Sequence, residues 1–470
     1  MAILSDLSEE LVHRVIDHIV LPQNDNNQLK GCHLHLDHIQ DRPRAHLEHK
    51  NNDFRTSHRD NNNETLAQVS WPEGLPSNKL LPLSLINRTF RQCAQERLFQ
   101  NVALHNQWQG CLFLHELQEG DIEIGSSSDT KHPRLSPLAQ HVHSLLLKDW
   151  SDHKPPSMGR GGGSLICETI RSCPSLENFA MVNSLDGRCK DPIMDALASR
   201  KHIKDFVVLK DFYGHPCNQK IIWLADEVVA RLFAKWEHLE KIELHKLSGR
   251  PIEMIETIHK ALESLRTLEI VNPTPKLDRP GLCRILKECT GPDLESLTVA
   301  TLPNWHIIRS SVNNEISDDP AENRNLLEIL FKSSSALKNL KSLSIQGRLT
   351  GSELFIFLPP SIVKLSWGRC HLTAAAFAKA LSSFIQYPPE LPSDLKLDHT
   401  DVLNRRVQWL PKLKCCTVID DYDWDKQERD AIDKALRARR VCFHSGGNYY
   451  AESEGDENHL KSKVLDTVII

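Results

Sequence analysis

Apolar residues in this chain fall into two rhythms. From residue 142 onward a short frame recurs, apolar at its first, fourth and sixth positions. It fits Val142/Leu145/Leu147, Leu176/Phe179/Met181, Ile203/Phe206/Val208, Leu239/Ile242/Leu244 and Leu265/Leu268/Ile270. It returns at Leu294/Leu297/Val299, Leu340/Leu343/Ile345 and Ile362/Leu365/Trp367, and more weakly at Pro392/Leu395/Leu397 and Leu413/Cys416/Val418. Between frames the period changes to that of a helix. Ile221, Leu224, Val228, Leu232 and Trp236 share one face of 220–236, and Ile252, Ile255, Ile258 and Leu262 share one face of 252–262. Segments 326–331 and 374–385 behave likewise. Short strands alternating with helices predict an α/β fold. The irregular spacing of the frames predicts a solenoid with inserted loops, parallel strands inside and helices outside. A doubly wound α/β domain is the competing architecture, but it predicts longer apolar strands and a glycine-rich phosphate loop after the first one.

The amino end carries the helical rhythm alone. Leu7, Leu11, Val15 and Ile19 recur every four residues, and Val12 and Ile16 widen the stripe. Asp6 or Ser8 can cap the start of this helix. A second helix is predicted where Leu83, Ile86, Phe90, Ala94 and Leu98 step by three or four, with Phe99 and Val102 after it. Two helices this short bury too little surface to be stable alone, so their stripes need a partner.

These two segments resemble the F-box family. Leu4, Leu7, Glu10, Leu11 and Val15 match the first half of its pattern, L-x-x-L-P-x-E-L-x-x-x-I. Leu83, Ser84, Leu85, Ile86, Arg88, Phe90 and Arg91 match the second half, and ERLFQNVAL resembles the tail that often follows. Ser8 stands where the family has proline, and residues 24–79 replace a much shorter connection. The downstream frame resembles that of leucine-rich repeats. The combination resembles fungal-style F-box proteins with a leucine-rich-repeat domain. That resemblance implies an F-box over 1–104 with the insertion 24–79, a linker over 105–141, a solenoid over 142–423, and a capping helix with a tail over 424–470. It also implies adaptor contacts at Leu4, Leu7, Leu11, Val15, Ile19, Leu83, Leu85, Ile86, Phe90 and Leu98.

The insertion is rich in Asn, His, Asp and Arg and poor in large apolar residues, a composition that predicts disorder. Cys32, His33, His35 and His38 lie close together there, but without the paired spacing of a zinc site. Near the other end, 423–440 predicts an amphipathic helix that caps the array, and 444–470 a mobile tail or a docked final strand.

Composition narrows the function further. The net charge is −5, and no basic stripe of the kind nucleic acids require is apparent. Asp6, Glu9 and Glu10 occupy the region where a secretory signal would be basic and then apolar. No apolar run is long enough to span a bilayer. The thirteen cysteines are scattered, which reads as small buried side chains in a reducing cytoplasm or nucleus. The adjacent Cys415 and Cys416 suit alternating strand positions better than a redox site. GRGGGS at 159–164 lacks the lysine of a phosphate loop, and DDYDWD at 420–425 reads as a solvated turn. No catalytic motif appears, and the sequence predicts no cofactor and no metal.

The expected function is therefore that of a non-catalytic substrate receptor of a Skp–cullin–F-box ubiquitin ligase, binding the Skp adaptor and, through it, cullin. Target contacts are expected at residues between the frame positions: Glu177, Asn178, Lys204, Asp205, Glu240, Lys241, Arg266, Thr267, Glu295, Ser296, Lys341 and Ser342. A free-standing repeat scaffold and an enzyme on an α/β fold are the alternatives.

Overall fold

The computed structural model describes residues 7–20, 80–104, 106–118, 134–147, 162–182, 187–209, 221–249, 263–302, 305–306, 325–333, 335–351, 353–370, 372–382, 384–385, 407–419 and 424–446. Leu4, the insertion 24–79, the predicted helix 252–262, the frame 392–397 and the tail beyond 446 lie outside them. The chain is α/β and divides into two compact units. One comprises Met1–Asp211, His215–Ile221 and Lys235–Glu237, and the other the remainder.

The first unit opens with three helices, α1 (Glu9–Val20), α2 (Leu80–Ser84) and α3 (Arg88–Gln100). Glu9 and Glu10 lie in the first turn of α1, where the helix dipole favours negative charge. Asn87 caps α3, its side-chain oxygen accepting from the Phe90 amide at 2.8 Å. Helix α3 runs directly into strand β1 (Asn101–Leu104). Helix α4 (Gln107–Leu117) and a 3-10 turn at Pro137–His141 lead to β2 (Ser144–Leu147). Then follow α5 (Gly163–Arg171), β3 (Asn178–Val182), α6 (Lys190–Ala198) and β4 (Asp205–Leu209). Strands β1 to β4 are parallel and pair in chain order.

The array therefore begins one strand earlier than the frame predicts. Its first strand is the NVAL segment, placed by sequence at the end of the F-box, and much of the expected linker 105–141 is folded into α4 and the turn. The frame missed β1 because helix α3 supplies the residues before it.

The second unit contains α7 (Ala225–Arg231), β5 (Lys241–His245), β6 (Thr267–Val271), α8 (Arg279–Cys289), β7 (Ser296–Ala300), α9 (Leu326–Ser333) and β8 (Ser342–Gln346). It continues through α10 (Leu354–Phe357), β9 (Lys364–Gly368) and α11 (Ala374–Ser382). A short antiparallel pair, β10 (Phe384–Ile385) with β11 (Val407–Gln408), precedes β12 (Cys415–Ile419), α12 (Lys426–Ala438) and β13 (Cys442–Gly446). Strands β5 to β9, β12 and β13 form parallel pairs in that order. Helix α12 starts with a complete capping box between Asp425 and Glu428. It does not end the array, because β13 follows it and pairs with β12.

The frame maps onto the sheet register. Leu145 pairs with Phe179 and Phe179 with Phe206, while Ile242, Leu268, Leu297, Leu343, Leu365 and Cys416 line up in sequence across the second unit. First-position residues Val142, Leu176, Ile203, Leu239, Leu265, Leu294, Leu340 and Ile362 are fully buried. Each strand side thus stacks like residues on like, the arrangement of a solenoid, in which neighbouring repeats cover one another's apolar faces.

A backbone device recurs as well. Lys246, Asn272, Gly347 and Arg369, each immediately after a strand, have φ of 58°, 48°, 96° and 55°. This left-handed residue turns the chain away from the sheet while its amide, at Lys246, Asn272 and Gly347, still donates to the next strand. At Gly347 a Cβ would run into Thr301, so glycine is required there for space as well as for φ. Near the carboxyl end Phe355, Trp367, Phe377, Trp409 and Trp424 pack ring to ring. The indole nitrogens of Trp409 and Trp424 donate to the carbonyls of Phe355 and Leu372, at 2.7 and 2.8 Å.

Candidate partner-binding surfaces

The three amino-terminal helices enclose a small core of their own. Val12, Ile16, Leu80, Phe90, Cys93 and Ala94 are buried together, with Leu7, Leu83 and Leu98 packed partly against them. His13 Nε2 lies 3.4 Å from Glu96, and His141 Nε2 lies 3.9 Å from the same carboxylate, so Glu96 faces both α1 and the turn before β2.

This core divides the predicted contact residues into two groups. Leu11 (45% exposed), Val15 (37%), Leu85 (78%) and Ile86 (43%) are presented outward. Ile19 is half-buried. Phe90, at 1% exposure, is corrected from surface contact to core: it holds α3 against α1 and α2. Leu7, Leu83 and Leu98 belong mainly to the same inner side. Helical spacing shows that a stripe exists, but a wide stripe has two edges, and only packing decides which edge is covered.

The second surface is the sheet face opposite the frame residues. In the second unit it is polar and half-buried. Lys241 Nζ lies 3.3 Å from Glu243 and 3.4 Å from Glu269, and His245 Nε2 lies 3.3 Å from Glu243. Thr298, Ser344 and Ser366 continue this face at register positions matching Glu269. Of these residues the sequence reading named only Lys241; the period-two alternation of the strands was the signal that could have added Glu243 and His245.

Most of the other predicted target contacts flank this face. Lys204 Nζ bonds Glu177 at 3.0 Å and Lys341 Nζ bonds Glu295 at 2.8 Å, each pair joining neighbouring repeats just before the strands. Their alternating sign is thus a set of inter-repeat ion pairs. Asp205 and Ser296 are buried rather than displayed.

Buried titratable groups lie elsewhere. Helix α9 buries Glu328, whose Oε1 accepts from the Gly351 amide at 2.6 Å; burial pushes its carboxyl up to about 7 despite that bond. Burial likewise pushes the thiols of Cys167 up to about 11 and of Cys173 and Cys289 up to about 12. Protonated, enclosed thiols of this kind act as small apolar side chains. Cys416 faces the core and Cys415 the opposite side of the sheet, the alternation expected of adjacent strand residues.

Among the described residues no helix is long and apolar enough to cross a membrane. No protein-family model matches the chain, and no curated protein matches it.

Proposed function

We propose that this protein is an F-box receptor with a leucine-rich-repeat domain. It docks on a Skp adaptor through its amino-terminal helices and holds a target on its repeat surface for a cullin-based ubiquitin ligase in the cytoplasm or nucleus. The observation that carries the reading is the outward apolar edge formed by Leu11, Val15, Leu85 and Ile86 on helices whose other side is already packed. Single exposed leucines are ordinary. Four such residues concentrated on three short helices, at positions that match the F-box pattern, are better explained by a partner. Covering each contributes on the order of 1–2 kcal/mol of binding. The receptor itself performs no bond chemistry; it raises the effective concentration of a target lysine near the ubiquitin carrier.

The test is co-purification of Skp adaptor and cullin with the full chain. Leu11→Asp combined with Ile86→Asp should cut adaptor recovery more than tenfold while the chain still folds. Phe90→Asp should instead unfold the helical cluster. Adaptor recovery unchanged by the Leu11/Ile86 pair sinks the assignment, and no adaptor recovery at all from the unsubstituted chain favours the free-standing scaffold.

A further inference from the structure

On the last strand pair, Cys415 and Cys442 are register partners, and His444 lies two residues along β13 opposite Thr417. The period-two alternation puts all three on the sheet face opposite the core-facing Cys416. Their ligand atoms all lie within 4.8 Å of one another, and Cys442 and His444 are only partly covered. We infer that Cys415, Cys442 and His444 form a three-ligand zinc site that staples β12 to β13.

Two sulfurs and one imidazole nitrogen are a donor set suited to zinc, and a tetrahedral ion leaves its fourth position for water or another ligand. Zinc bonds of about 2.3 Å to sulfur and about 2.0 Å to nitrogen require ligand atoms about 3.5–3.8 Å apart. Closing the triangle by about 1 Å is within reach of side-chain rotation on a fixed strand pair. Burial lowers the proton affinity of His444, which favours the neutral imidazole that a metal needs. The Cys442 thiol donates to the Lys414 carbonyl at 3.1 Å. Metal binding would release that proton, and the one on Cys415, in exchange for two sulfur–zinc bonds. Neither spacing nor motif reveals the set, because residues 415 and 442 meet only when α12 returns the chain to the sheet. Terminal repeats have a neighbour on one side only, so a staple there stabilises the part of an array with least support.

The test uses the full chain, reduced and stripped of metal, titrated with Co²⁺ as a spectroscopic substitute for zinc. The expected result is a sulfur-to-cobalt charge-transfer band with tetrahedral ligand-field bands at one equivalent. The charge-transfer band should fall by about half in Cys442→Ser, the ligand-field bands should shift in His444→Ala, and neither should change in Cys111→Ser, which alters an exposed thiol elsewhere. Zinc should also raise the melting temperature of the unsubstituted chain and slow alkylation of Cys442 but not of Cys111, a readout that needs no variant. Absence of the bands, bands unaltered by both site variants, or zinc that leaves Cys442 as reactive as before would overturn the site.

Discussion

In the first unit the strand residues that alternate with the core-facing ones are Leu146, Ala180, Val182, Val207 and Leu209, and all are buried as a second apolar cluster. In the second unit the corresponding residues include Glu243, His245, Glu269, Thr298, Ser344 and Ser366. Both units use the same frame for the helix-facing side of the sheet, so the frame alone does not distinguish them. The other face does. Strands such as DFVVL are apolar on both sides, as strands covered on two faces are. KIELH and SLSIQ alternate, as strands with one solvated face do. The first unit therefore combines a two-sided core with the outward helical edge, while the second offers a polar sheet face suited to recognising a target. Docking and recognition would then be divided between units.

The largest effect should come from reversing this difference. Val207→Asp places a charge in the first unit's second cluster and should cost about 4 kcal/mol or more, enough to unfold most of the protein. Ser344→Asp, at the equivalent register position in the second unit, should cost no more than about 1 kcal/mol. Denaturant unfolding of both variants checks this, and equal losses would show that the two faces are not different environments.

A smaller effect isolates a buried polar group of the second unit that is not on its polar face. Glu328 has a raised carboxyl pKa in the folded chain, about 7, against roughly 4.3 when unfolded. Between those values the folded state holds a proton that the unfolded state releases. Its contribution is fully present below about pH 4.3 and is lost as pH rises through about 7, by up to about 3 kcal/mol. Glu328→Gln keeps an acceptor for the Gly351 amide but cannot ionise. The stability difference between it and the parent should therefore shift in its favour by about 1–3 kcal/mol between pH 5 and 7.5. A pH-independent difference would place the carboxylate in a wetter setting than its burial indicates.

The smallest effect concerns the ion pairs between repeats. Double-mutant cycles on Lys204–Glu177 and Lys341–Glu295 should each give a coupling of at most about 1 kcal/mol, and less for the second pair, which is more exposed. A coupling well above that in either unit would make these pairs part of what holds the array together.

The amino-acid sequence by itself determined the α/β class, the strand positions carrying first-, fourth- and sixth-place apolar residues, and the existence of two apolar helices at the amino end. These are periodicities, and a period is a local property that any window of the chain displays. It also contained the polar alternation of the second unit, visible in KIELH before any fold is known.

Only tertiary structure decided which edge of the helical stripe is covered, turning Phe90 inward and Leu11 outward. It alone converted NVAL and the segment after α12 into the first and last strands described, because β1 pairs with β2 and β13 with β12, and neither repeats the full frame. It alone brought Cys415 to Cys442 and His444. Each of these depends on contacts between residues far apart in the chain, and the free energy of such contacts belongs to the pair, so neither segment carries it alone.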